Sequence, residues 1–461
     1  MTFAPDWVRD AVFYQIFPER FCNGDPSNDP PGVTPWGQTP TRTNFFGGDL
    51  AGVEQRLDYL QALGVNALYL NPVFTSPSNH KYDTSDYLAV DPHFGGTEAL
   101  KRLVRRAHQL GIRVILDGVF NHTGDHFRAF EDVLRNGAES PYRDWYSFES
   151  LPVQLDPPNY RACGGASFLP KLNTMQPEVR DYLYRVAAHW LQEADIDGWR
   201  LDVPWEVPHE FWRGFRQAIK ATRPDALLVG EAWGNAQPWL QGDQFDSVTH
   251  YPLRELVIRF ILQQAIDATT FDRELNLLRS FYPGSVRQTM LTLVGSHDTP
   301  RIRTIAGGRT RHVRAAFAFL FTFEGVPMIY YGDEVGLEGG PDPDCRRCMP
   351  WDSSAWRQEL LVLVTRLAHL RGDHPALRRG DFKALLCQER TYVYSRALDD
   401  DVVVVALNAG FQAEEVSFAV PTGAAGTWRD ALTGERRHAD RDGCLRLKVG
   451  ALDFLILVPE A

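Results

Sequence analysis

Eight short apolar segments recur along this chain, most of them separated by stretches with helical periodicity, and that alternation constrains the fold more than any other feature. The segments are 12–16, 67–70, 114–116, 198–201, 227–229, 247–250, 290–293 and 328–331. Helical patterns at 50–63, 97–110, 177–194 and 355–372 lie between or beyond them. Strands linked through helices pair in parallel, and eight in succession read as a closed (β/α)8 TIM barrel, an α/β fold, rather than an open sheet. The third and fourth segments lie too far apart for one helix to join them. Residues 122–174, rich in Pro, Gly and aromatics, are therefore expected to form a small inserted domain on the barrel face. Beyond His374-Pro the pattern changes to alternating segments at 391–395, 401–406 and 445–449. Turn signals at Thr422-Gly and Asp442-Gly punctuate them, which reads as a C-terminal antiparallel β-sandwich. The expected domains are 1–121 and 175–376 for the barrel, 122–174 for the insertion and 377–461 for the sandwich.

Charge and composition exclude several function classes. A net charge of −11 leaves no basic face for nucleic acid or an anionic membrane. The longest central apolar run, 315–321, is far short of a membrane span. The first residues carry no basic segment followed by an apolar one, so no secretory signal is read there. The six cysteines have no disulfide-framework spacing, and Cys345-Arg-Arg-Cys348, lacking a second pair, reads as free thiols in a loop. The expected location is cytoplasmic. Twelve Trp and sixteen Tyr exceed what packing requires and suit platforms for flat, partly apolar ligands such as sugars.

In a parallel barrel the loops at the strand C-termini build the site. Four strand ends carry polar groups: Asp117-Gly-Val-Phe-Asn-His122, Arg200-Leu-Asp202, Gly230-Glu231-Ala-Trp233 and Gly295-Ser-His297-Asp298. An Arg–Asp pair at one strand end is more often a structural ion pair, but recurrence at four ends concentrates like charge that a structural barrel would avoid. Glycoside hydrolysis needs one ionised carboxylate and one carboxylic acid across the scissile bond. Asp202 shares a strand face with Arg200, which is expected to hold its pKa low and suit it to be the nucleophile. Glu231 follows an apolar run beside Trp233, where burial and nearby negative charge are expected to raise its pKa for proton donation. Asp298, with His297 and His122, suits gripping sugar hydroxyls.

These segments resemble the α-amylase family of glycoside hydrolases in all its signature regions, with residues 10–375 as the barrel and the rest as the C-terminal β-domain. The resemblance implies a retaining mechanism with Asp202 as nucleophile, Glu231 as acid/base and Asp298 as transition-state stabiliser. It implies that Arg200, His122 and His297 contact the sugar at the cleavage subsite and that Tyr82 lies under it. Leu169-Pro-Lys-Leu-Asn173 and the run from Tyr330 to Trp351 resemble the neopullulanase, cyclomaltodextrinase and maltogenic amylase group. That group's pattern implies that Asp342 and Arg346 bind the next glucose on the non-reducing side and that Glu206 faces the leaving-side sugars. Two departures stand out: Pro204-Trp205 replaces the group's usual Ala-Asn, and the first barrel strand begins at once, without the group's N-terminal β-domain. Cyclodextrin preference and the usual dimer therefore do not transfer, and the sequence sets no oligomeric state. The implied partner is an α-glucan oligosaccharide. The alternatives are a transglycosylase or isomerase using the same covalent intermediate, and a non-catalytic sugar-binding relative.

Asn23, Asp25, Asn28, Asp29, Gly47 and Asp49 concentrate hard oxygen ligands in two short loops. From residue chemistry alone these read as an Asx-rich turn. Resemblance to the group's N-terminal calcium loop, position by position, implies a structural Ca²⁺.

Overall fold

The computed structural model describes residues 4–421 and 426–460. Strands β1 (Phe13–Ile16), β2 (Ala67–Leu70), β3 (Arg113–Gly118), β4 (Gly198–Leu201), β5 (Leu227–Ala232), β6 (Ser247–His250), β7 (Leu291–Leu293) and β8 (Val326–Tyr330) close into a parallel barrel. Each overlaps its expected span. The barrel runs in chain order, and β8 closes onto β1 with Met328 opposite Phe13.

The strands read as nearly continuous apolar runs because both faces are covered. Alternate side chains point inward: Phe13, Ala67, Ile115, Leu227, Leu291 and Val326 fill the barrel, with Val8 and Ala11 packed into the same cluster. The intervening residues, among them Tyr14, Leu68, Val114, Trp199 and Leu228, belong to a separate cluster against the surrounding helices. Gly198 opens β4 where a Cβ would stand 2.1 Å from the Leu227 carbonyl oxygen, so only glycine lets β4 and β5 approach this closely.

One expected element is divided. The helical pattern at 50–63 forms two helices, Leu50–Gln55 and Leu57–Leu63, broken at Arg56 with φ −103° and ψ 5°. The Arg56 guanidinium lies 4.1 Å from the centre of the Trp351 ring.

Between β3 and the helix Pro177–Glu193 the chain makes its excursion, built from the helix Arg128–Asn136 and isolated bridges. Phe130 packs among Tyr146, Phe148 and Tyr160 to give it a small core. The bridge between His122 and Lys171 joins the two ends of the excursion, setting both residues at the barrel mouth.

The C-terminal strands are β9 (Asp381–Gln388), β10 (Thr391–Leu398), β11 (Asp401–Asn408), β12 (Glu414–Ala419), β13 (Thr427–Asp430), β14 (Arg436–His438), β15 (Cys444–Val449) and β16 (Asp453–Pro459). Six of them form one sheet in the order β9-β10-β11-β16-β13-β14, and β12 pairs with β15 in a second. Val402, Val404 and Ala406 pack toward β12 and β15, while Val403, Val405 and Leu407 join the barrel-side core. The expected polar alternation therefore fails in β11, which is buried on both faces. The expected turn at Thr422-Gly lies outside the described residues.

Candidate active site

The inward pleat that is apolar low in the barrel turns polar at the top. Gln15, Tyr69, Asp117, Arg200 and Glu231 each stand two residues above an inward apolar residue or glycine. Arg200, almost fully buried, organises this layer. Its Nη1 donates to Asp117 Oδ1 at 2.8 Å and to Asp202 Oδ1 at 2.8 Å, and its Nη2 meets Glu231 Oε2 at 3.0 Å. One guanidinium fork thus holds three carboxylates drawn from three adjacent strands or their ends.

That ratio overturns the expectation of a low pKa at Asp202. Burial pushes the Asp202 carboxyl well above the usual carboxylate range, and Glu231, Asp117 and Asp298 add to the rise against the pull of Arg200. A single cation cannot offset several carboxylates removed from water. The same burial raises Asp117. The cluster as a whole therefore retains a proton more readily than isolated carboxylates do.

The turn after Asp202 is conformationally unusual. Val203 adopts φ 37° and ψ 51°, a left-handed conformation rare for a β-branched residue and costing about 1–3 kcal/mol. It aims the Val203 N–H at Glu231 Oε2, 3.0 Å away, while the Trp233 indole donates to Glu231 Oε1 at 2.7 Å. Trp233 itself stacks on Tyr251 with centroids 3.8 Å apart.

On the opposite side a chain of hydrogen bonds fixes Tyr82 and His297. The Tyr82 hydroxyl donates to Asp117 Oδ2 at 2.9 Å and lies 2.6 Å from His297 Nε2. Gln15 Nε2 donates to His297 Nδ1 at 2.7 Å, so the neutral imidazole carries its proton on Nε2, facing Tyr82 and Asp298 Oδ2. Burial, with Arg346 and Arg200 nearby, holds the His297 pKa well below its ordinary value. Arg346 bridges Asp298 Oδ1 at 3.2 Å and Asp342 Oδ1 at 3.0 Å, and its Nε donates to the His297 carbonyl. His122 is buried with its pKa lowered to about 4 by desolvation, and its Nε2 has no partner among the described residues. Such a group is placed to meet a ligand hydroxyl. Glu206 pairs with Lys171 at 3.0 Å and accepts from Asn121.

A cleft of about 600 Å³ runs from Tyr82 past His80, Asp342 and Arg346 to the exposed ring of Phe168. Of the expected residues, Tyr82, Asp342 and Arg346 line this cleft, and hydrogen bonds and ion pairs tie His297, Asp298, Arg200, Asp202 and Glu231 to them. Sequence reading named Asp117 only as the start of a polar strand end, with no role, and passed over Tyr69, Gln15, Asn71 and Lys171 as site residues. Asp117 was visible in principle, because it ends a strand and stands in register with Arg200. Gln15 and Tyr69 gave no signal beyond a polar atom on an inward position.

In the acid-rich loop, the Asn23 and Asn28 side-chain oxygens are buried without partners among the described residues, and Asp29 Oδ1 would stand 2.2 Å from any Cβ at Gly47. Asp49 accepts from Gly24 N, Asp25 N, Asn28 Nδ2 and Gly52 N, and Asp25 accepts from Ser27. No group of three or more His, Cys, Asp or Glu among the described residues could hold a metal. The donors here are instead amide oxygens joined by carboxylates, a mixed set that fits a hard cation. Cys345 and Cys348 are buried free thiols, and Cys345 Sγ donates to the His297 carbonyl. No helix among the described residues is long and apolar enough to cross a membrane.

Residues 15–358 match the alpha amylase catalytic domain and 382–456 the maltogenic amylase C-terminal domain. With the charged layer at the C-terminal mouth of the barrel, this places the chain in the α-amylase family of glycoside hydrolases. Within that family it is 50% identical to a cyclomaltodextrinase of Geobacillus thermopakistaniensis, over 95% of this chain and 75% of the relative. It is 47% identical to neopullulanase 2 of Thermoactinomyces vulgaris, over 98% of this chain and 78% of the relative. Among solved structures, the cyclic α-maltosyl-(1→6)-maltose hydrolase of Arthrobacter globiformis superposes with a TM-score of 0.91 at 43% identity, covering 99% of this chain and 100% of that one.

Proposed function

We propose that the protein is a retaining α-glucan hydrolase cleaving α-1,4-glucosidic bonds of maltooligosaccharides, with cyclodextrins, pullulan and starch as further substrates. The observation that carries this reading is the Arg200 fork, which sets Asp202 and Glu231 side by side. A covalent glycosyl–enzyme route needs the two carboxyls about 5–5.5 Å apart, a spacing that two carboxylates sharing one guanidinium can adopt. Relatives named cyclomaltodextrinase, neopullulanase and maltogenic α-amylase support the substrate class.

In the first step an Asp202 oxygen forms a bond to the anomeric carbon while the bond to the glycosidic oxygen breaks. Glu231 gives its proton to that oxygen, and the leaving sugar departs as an alcohol. Asp298, His297 and His122 hold ring hydroxyls as positive charge develops, with Tyr82 beneath the sugar and Asp342 and Arg346 on its neighbour. In the second step water attacks the same carbon, returns a proton to Glu231 and frees the Asp202 carboxylate. Time-resolved NMR of maltotriose cleavage should show the α-anomer forming first, and Asp202→Asn should abolish cleavage in a folded protein. Initial release of the β-anomer would refute the retaining assignment.

A structural calcium at Asn23, Asp25, Asn28, Asp29, Gly47 and Asp49 belongs to the same proposal. When bound there, the ion would supply charge neutralisation that ties the two loops together. Chelation should lower the melting temperature while leaving KM for maltotriose unchanged; an unchanged melting temperature would remove calcium from the account. A cytoplasmic location accords with six free thiols and with 43% identity to the intracellular maltogenic amylase of Bacillus subtilis.

A further inference from the structure

Twelve tryptophans occur in the chain, yet among the described residues only Trp205 and Trp233 count as exposed. Both stand at the barrel mouth, within three residues of Asp202 and Glu231 in sequence. Trp233 is accounted for: it stacks on Tyr251 and donates to Glu231. Trp205 is not. With 45% of its surface exposed, it makes no ring contact and no hydrogen bond among the described residues.

The turn that presents Trp205 is nevertheless firmly held. Pro204 is buried, and its carbonyl accepts from the Trp212 indole at 3.0 Å and from Val207 N at 3.3 Å. Glu206 N donates to the Val203 carbonyl, and the Glu206 side chain is tied to Lys171. A rigid turn that holds an apolar ring nearly half exposed, with no aromatic ring stacked on it among the described residues, is an arrangement a ligand face can complete.

Its location indicates which ligand. The large cleft lined by Tyr82, Asp342 and Arg346 lies toward Asp298, whereas the Trp205 turn and Trp233 are not part of that lining. They lie instead beside Glu231, which takes hydrogen bonds from Val203 N and Trp233. Glu231 is the group assigned to protonate the departing oxygen, so a sugar on this side belongs to the leaving half of the substrate. A pyranose offers one face of C–H groups to an aromatic ring, while Glu206 and Lys171 remain beside it for its hydroxyls.

We infer that Trp205 is a stacking platform for a sugar on the leaving side of the scissile bond and a determinant of specificity for substrates extending past the cut. This inference rests on the proposed hydrolase reading and adds the residue that selects the leaving group. By the same contact Trp205 retains a sugar acceptor in the second step, favouring transfer over hydrolysis at high oligosaccharide concentration.

The test compares maltopentaose with α-maltosyl fluoride, whose leaving group is an ion and occupies no sugar site. Trp205→Ala should lower kcat/KM on maltopentaose roughly tenfold, mainly through KM, and leave α-maltosyl fluoride hydrolysis within about twofold. Trp205→Phe should restore most of the loss, and the share of transfer products should fall in the Ala variant. An equal loss on both substrates would assign Trp205 to supporting the nucleophile turn and overturn the inference, as would no loss on either. If the unmodified protein fails to hydrolyse α-maltosyl fluoride, the hydrolase reading itself falls, independently of Trp205.

Discussion

The two sides of the barrel mouth are built on different principles. Toward Asp298, the side chains of Gln15, Asn71, Tyr82, His297 and Arg346 form a continuous hydrogen-bonded network in which each group fixes the next. Toward the Pro204–Glu206 turn, the chain offers two exposed indoles and one ion pair that is partly open to water. The first side is pre-organised, so a sugar bound there meets groups that need not rearrange. The second depends on apolar contact and tolerates variation, which suits a position that must release one sugar and admit water or another.

Substitutions on each side sharpen that contrast. The largest effect is expected at Arg346. Arg346→Ala would leave Asp298 and Asp342 without their shared cation, and kcat/KM on maltotriose should fall about 30- to 100-fold. A loss below fivefold would mean the network is not pre-organised by this residue.

A pH measurement tests the same side. The folded chain keeps His122 neutral to about 4, while an unfolded chain takes up that proton near its ordinary 6.5. Stability contributed by His122 is therefore present above pH 6.5 and is lost as pH falls toward 4, by about 1.4 kcal/mol per unit crossed. Melting temperatures of His122→Asn across that range should show a shallower acid decline than the parent. Parallel curves would break the link between His122 burial and acid sensitivity.

The smallest effect is expected across the mouth. Lys171 and Glu206 are each about a quarter exposed, and pairs in that setting contribute ~0–1 kcal/mol. Lys171→Met should reduce kcat/KM on maltopentaose by no more than about fivefold and leave α-maltosyl fluoride unaffected. A larger loss would show that the leaving side is as rigidly organised as its counterpart.

Much of this was legible in the sequence because one physical pattern, apolar strand ending in a polar residue, marks both barrel and site. All eight strands show the apolar run, and four of them the polar end that carries the candidate carboxylates. What remained hidden depends on neighbours brought together only by barrel closure. The pKa of Asp202 is an example: two residues away in sequence lies one arginine, but in space that arginine is shared with Asp117 and Glu231. Gln15 and Tyr69 likewise acquire meaning only when β1, β2 and β3 meet across the barrel. The break at Arg56, beside the distant Trp351, and the double burial of β11, between the barrel-side core and the second sheet, likewise depend on contacts made only on folding.

The excursion between β3 and the helix Pro177–Glu193 is stitched at its base. Besides the His122–Lys171 bridge, Leu172 N donates to the Asn121 carbonyl and Asn173 N to the Trp145 carbonyl. Leu155, at the far end of this loop, is exposed. A protease cutting beside Leu155 would therefore sever the chain without parting the groups that face the sugar, so the nicked enzyme should run as two fragments under denaturing conditions yet remain one active particle in solution.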